Sequence, residues 1–156
     1  MNNELKKQFA LRISQANNVE MIMIEYEMIS TYVSDALDCY NDKISYGANI
    51  DSAKRVIEEM MNNLHYEYEL ASNLKQIYLY MKKRLRDALY NDDQEALNEI
   101  KGLVEGLHES YSQIAAEDSS KPMMENAQSV TVGMTYGKNQ ILEEIADASS
   151  NRGFRV

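Results

Sequence analysis

Between residues 20 and 40 apolar side chains recur every three or four positions, at Ile22, Tyr26, Ile29, Val33, Ala36, Leu37 and Tyr40. That spacing makes one face of an α-helix. A second line runs beside it through Met21, Met28, Tyr32 and Cys39. Together the two lines cover about half the circumference, more than the stripe a surface helix needs. The first turn, MIMI at 21–24, is apolar on all sides. Something beyond the usual bundle neighbours is therefore expected to cover this helix. Asn17 and Glu20 have the spacing of a capping box and place its start. Ahead of it, residues 4–13 carry Leu5, Phe9 and Ile13, the pattern of a short helix.

DKISYGAN, residues 42–49, reads as a loop with Gly47 its strong breaker. From Ile50 to Asn91 no residue forbids one helix, but it would be ~63 Å long and outrun its neighbours. Weak helix formers gather at Asn62, Asn63, Leu64, His65 and Tyr66, so the reversal is expected there. The helix before it turns Ala53, Val56, Ile57, Met60 and Leu64 inward. The helix after it carries Leu70, Leu74, Ile77, Tyr78, Met81, Leu85 and Ala88. Leu79 falls nearly opposite that stripe, and Tyr80 well off it. NDDQ at 91–94 is a short connection in which Asp92 or Asp93 caps the next helix. The last long helix runs to about Ala116 on Leu97, Ile100, Leu103, Val104, Leu107, Tyr111 and Ile114. The fold expected is all-α: an antiparallel up-down four-helix bundle with a short N-terminal helix and a C-terminal extension.

The composition changes after that helix, which divides the chain into a bundle domain, 1–117, and a linker with a partly apolar tail, 118–156. EDSSKPMMENAQ holds the single proline, Pro122. SVTVGMTYG then alternates at period two through Val130, Val132, Met134 and Tyr136, as a strand does, with no second strand to pair with. ILEEIA at 141–146 suits a turn or two of helix. The tail is expected to fold back on the bundle's outer surface, with a strip at Gly102 and Gly106 as its candidate track.

Composition adjusts this picture at three points. Ten Met and eleven Tyr beside two Phe and no Trp suit either an all-helical core or an adaptable binding surface. A net charge of −9 argues against nucleic acid, whose binding rests on neutralised phosphates. Lys82, Lys83, Arg84 and Arg86 depart from that balance locally and read as a solvated face. One cysteine, Cys39, fits a reducing cytosol. Neither a signal-peptide core nor a run of transmembrane length is evident, so a soluble intracellular protein without membrane insertion is expected.

Candidate chemistry is sparse. Glu105 and His108 form an E-x-x-H pair, the spacing of di-iron bundle ligands, but Asn62 stands where the other histidine, His65, needs its glutamate. Histidine phosphotransfer domains place Lys and Gly shortly after their histidine, and neither HYEYEL nor HESYSQ does. No nucleophile motif or phosphate loop is present. The expectation is no enzyme, no metal and no cofactor. What remains unexplained is apolar or small: Met21, Met28, Tyr32, Leu79 and Tyr80 outside the main stripes, and Gly102 and Gly106 four apart on the outer side of the last helix. Such groups suit recognition of a partner helix, which docks through anchors at i, i+3, i+4 and i+7. A neighbouring segment of the same chain would serve them equally well.

The order of these segments resembles that of the FliS family of flagellar secretion chaperones. EMIMIEYEMI at 20–29 is similar to the motif opening that family's first long helix. AKRVIEEMMNNL at 53–64 and ELASNLKQIYLYMKKRLRDA at 69–88 match its next two, the latter most specifically, and LNEI and LHESY echo the last. Glu25 replaces a usual Leu, Asn18 a usual Pro, and Tyr111 stands where Trp is common. The resemblance implies a cytosolic bacterial helical bundle that binds the C-terminal segment of newly made flagellin. It would prevent premature polymerisation and deliver the subunit to the flagellar type III export apparatus. The client-binding residues would then be Met21, Met28, Tyr32, Leu79, Tyr80, Gly102 and Gly106. A signalling bundle (histidine phosphotransfer) or a metal-binding bundle is the alternative class.

Overall fold

A computed structural model describes residues 1–119, which form five helices and, among the described residues, no strand. They are α1 (Asn3–Gln15), α2 (Asn18–Asp38), α3 (Lys43–Asn62), α4 (Glu69–Tyr90) and α5 (Gln94–Ser119). Each of α2 to α5 packs against two of the others, and α1 rests on α2. The last helix runs on to Ser119, into the first residues of the expected linker, and the rest of the linker and the tail, with their strand-like and helix-like patterns, lie outside the described residues.

The helix ends follow local chemistry. Asn17 accepts from the Glu20 amide while the Glu20 carboxylate accepts from the Asn17 amide, both at 2.8 Å, a complete capping box. The reversal between α3 and α4 occupies residues 63–68, among the weak helix formers. Asp93 accepts from the Ala96 amide at 3.2 Å and caps α5.

The expected loop at 42–49 is a correction: α3 begins at Lys43 and runs through Gly47. Asp42 caps it, accepting from the amides of Ile44 and Ser45. Tyr46 is buried, and its hydroxyl donates to the Ala88 carbonyl at 2.9 Å near the end of α4. One glycine costs a helix about 1 kcal/mol, less than this anchoring returns. Tyr46 and Ile50 therefore join the core, which the loop reading left out.

The core otherwise comes from the expected stripes. Tyr26, Ile29, Val33, Met81, Leu97 and Ile100 are fully buried. Two phenols meet at its centre, the Tyr26 and Tyr78 hydroxyls 2.7 Å apart, and Tyr111 sets its ring edge against Tyr26 with centroids 5.7 Å apart. Burial raises the pKa of Tyr26 and of Tyr78 well above that of a free phenol. Glu25, the departure noted at a usual Leu, is 8% exposed, and its charge helps keep both phenols neutral.

α2, whose first turn is apolar on all sides, is covered beyond its bundle neighbours by α1. Ile24 and Phe9 are both buried, and beside them Arg12 holds Glu27 through two hydrogen bonds of 2.6 and 2.8 Å. That bidentate contact holds Glu27 below the usual carboxylate range.

Candidate binding surfaces

The seven singled-out residues fall on three sides of the molecule. Met21 and Met28 are half-buried on α2, while Tyr32 leans on the core. Their line continues to Cys39, whose sulfur accepts from the Asn49 side chain of α3 at 3.5 Å. It follows the seam between α2 and α3.

Leu79 and Tyr80 are neighbours in sequence that point to different seams. Leu79, 41% exposed, lines a groove of about 610 Å³ between α3 and α4. Ile50, Leu85 and Leu89 form its floor, and Tyr90, 76% exposed, stands at one end. Tyr80, 43% exposed, faces α5, where its hydroxyl donates to Glu99. Gly102 and Gly106 lie three and seven residues beyond Glu99, hence on the same side of α5. A Cβ at either would meet nothing within 4 Å. Tyr80 and the two glycines thus share the α4–α5 side, a flat strip with one amphipathic aromatic at its edge.

The basic run of α4 corrects the reading of four equivalent solvated cations. Arg84 is only 17% exposed and joins Asp87 at 2.9 Å, Asp93 at 3.1 Å and Glu99 at 2.6 Å. It ties the end of α4 to the start of α5, and with Tyr80 it holds the Glu99 carboxyl below its ordinary range. Lys82, Lys83 and Arg86 instead line the α3–α4 groove, together with Lys54. Lys82 reaches Glu58 of α3 at 2.8 Å.

His108 does not pair with Glu105. Its Nε2 lies 3.3 Å from Glu27 of α2, the carboxylate already held by Arg12, so one residue links α1, α2 and α5. Among the described residues no cluster of His, Cys, Asp or Glu is arranged to hold a metal ion. Sequence reasoning missed this junction and the α3–α4 groove. Arg12 and Glu27 are fifteen residues apart across a helix break and leave no periodic trace. The groove was signalled only by Leu79 off its stripe.

No helix among the described residues is long and apolar enough to cross a membrane. A family model described as flagellar protein FliS matches residues 1–118. The flagellar secretion chaperone FliS of Salmonella typhimurium is 37% identical over 51 residues, which cover 33% of this chain and 38% of that protein. The match therefore spans less than two fifths of that relative's length.

Proposed function

The chain belongs to the FliS family of flagellar proteins, and on that premise we propose that it is a flagellar export chaperone, a binding protein and not an enzyme. Its client is the C-terminal segment of newly made flagellin, held in the bacterial cytosol against premature polymerisation and passed to the flagellar export apparatus. The observation that carries this reading is the exposed Leu79 and Tyr80 on α4, neither covered by the described chain and each opening on a different seam. Helix-in-groove recognition uses apolar anchors of this kind, and Tyr supplies area with little entropy loss. The client residues proposed remain Met21, Met28, Tyr32, Leu79, Tyr80, Gly102 and Gly106. Lying on three sides of one bundle, they suit a long segment that wraps the molecule better than one short helix.

The bundle domain, 1–117, supplies this surface, with 118–156 as linker and tail. An up-and-down order of α2 to α5 is supported by the short connections at 39–42, 63–68 and 91–93. The Lys43–Asp92 pair, 3.2 Å apart, supports it too by joining the start of α3 to the end of α4. Titration calorimetry decides the function. Full-length flagellin is expected to bind at one to one, and flagellin lacking its C-terminal segment to bind far more weakly. Equal heats from the two would sink the proposal.

A further inference from the structure

The α3–α4 groove differs in charge from the depressions beside α1 and between α2 and α5. Lys54, Lys82, Lys83 and Arg86 line it against two carboxylates, Asp51 and Glu58. The depressions beside α1 and between α2 and α5 carry more carboxylates than cations: Glu20 and Glu27 against Arg12 in one, Glu27, Glu105 and Glu109 around His108 in the other. In a chain of net charge −9, a net-positive groove with an apolar floor is out of character. Lys82 and Lys83 have partners in Glu58 and Asp87, but Arg86 makes no ion pair among the described residues and is exposed.

The chain carries its own match for that groove. QILEEIADA, residues 140–148, has Ile141, Leu142 and Ile145 spaced to share one side of a helical turn. Its charged residues are Glu143, Glu144 and Asp147, with no Lys or Arg among them. From Ser119, where α5 ends, to Ile141 the chain can span at most about 79 Å. The longest helix, α5, measures about 39 Å at 1.5 Å per residue, so no part of the bundle surface lies beyond reach. Tethering at that length raises the effective concentration of the segment to the mM range, enough for a small apolar contact to be occupied. The Gly102/Gly106 strip suits this segment less well, because Glu95, Glu99, Glu105 and Glu109 all stand exposed on α5.

We propose that residues 141–147 of this chain dock in the α3–α4 groove, their apolar side on Leu79, Leu89 and Ile50 and their carboxylates among Lys82, Lys83, Arg86 and Lys54. The segment acts as an internal occupant of the groove in the free protein. This inference does not depend on the flagellar reading; it follows from the apolar floor, the charge and the reach.

Carbodiimide coupling of the dilute full-length chain, followed by peptide mass spectrometry, tests it, since this reagent joins an amine to a carboxylate already in contact. Amide links from Lys82, Lys83 or Lys54 to Glu143, Glu144 or Asp147 are expected in the species of one-chain mass. Ile141→Ser/Ile145→Ser and, separately, Leu79→Ser should lower their yield several-fold, although neither variant alters a reacting group. Leu79 is surface-exposed and the two isoleucines lie outside the described residues, and retention of the fold is checked by far-UV circular dichroism. Links confined to the species of two-chain mass would overturn the proposal in favour of a second copy in the groove. Links spread evenly over Lys6, Lys7 and Lys101, or unchanged by the serine variants, would overturn it as well.

Discussion

α2 and α4 are amphipathic helices of nearly equal length, and each has more apolar surface than a four-helix core absorbs. They dispose of the surplus differently. On α2 the chain covers its own excess: α1 packs along the helix, its end beside Ile24 and its buried Phe9 beside Glu27 and Thr31. On α4 no described segment covers the excess, Leu79 toward α3 and Tyr80 toward α5. A surplus buried by the chain contributes to stability. A surplus left open at a seam, between elements that are already packed, is available to another segment. The same apolar residue types thus serve two purposes, and only their surroundings separate them.

The sharpest way to break this comparison is at the centre of α2. Tyr26→Asp should unfold the bundle, because Tyr26 is 0% exposed and holds both Tyr78 and Tyr111. Removing a large aromatic costs about 3–5 kcal/mol, and stranding a charge adds to that. Far-UV circular dichroism with a urea titration reads the loss. Next comes the cover itself. Phe9→Ala should cost about 3 kcal/mol, felt as release of α1 and not as global unfolding. Amide exchange would speed up across residues 3–15 while amides around Tyr26 stay slow.

On α4 the order of effects reverses, with binding lost before stability. Leu79→Lys and Tyr80→Ala should weaken flagellin binding about tenfold each. Both should leave stability within about 1 kcal/mol of the parent chain. If either melts like the Tyr26 variant, α4 has no open surplus and the contrast with α2 fails. A milder probe of the α2 side is acid. Glu27 is depressed chiefly by its hydrogen bonds to Arg12, so its contribution is full above the ordinary carboxylate range. It is lost as pH falls through the lowered value, and α1 amides should lose protection there before the core does. The smallest effect expected is at Gly102. Gly102→Ala meets open space and should stabilise α5 by about 1 kcal/mol, a melting shift of about 3 °C.

The outcome for individual residues shows what the sequence could reveal. Helix faces, the capping box at Asn17 and the reversal after Asn62 were legible because they depend on spacing within one segment. Gly47 misled, since its propensity was set against a tertiary anchor, Tyr46 on the Ala88 carbonyl, forty-two residues away. Arg84 misled for the same reason. In the linear pattern it is one of four cations, and only the approach of α5 separates it from Lys82, Lys83 and Arg86. The proposed client residues stand out in the sequence only as leftovers. A leftover reports that a side chain lacks a place in its own helix's stripe and carries no information on which seam it enters.

The three phenols at the bundle centre also give this protein a built-in optical signal. With no tryptophan to dominate its near-ultraviolet spectrum, absorbance and fluorescence come from eleven tyrosines. Tyr26 and Tyr78 hold their protons far more tightly than free phenol while the bundle is intact. The unfolded chain releases those protons near pH 10. Between that point and the raised folded values the native state binds more protons than the unfolded one, so its stability falls as the solution becomes more alkaline. Base titration followed through tyrosinate absorbance should therefore show a central pair, Tyr26 and Tyr78, that ionises only when the helices come apart.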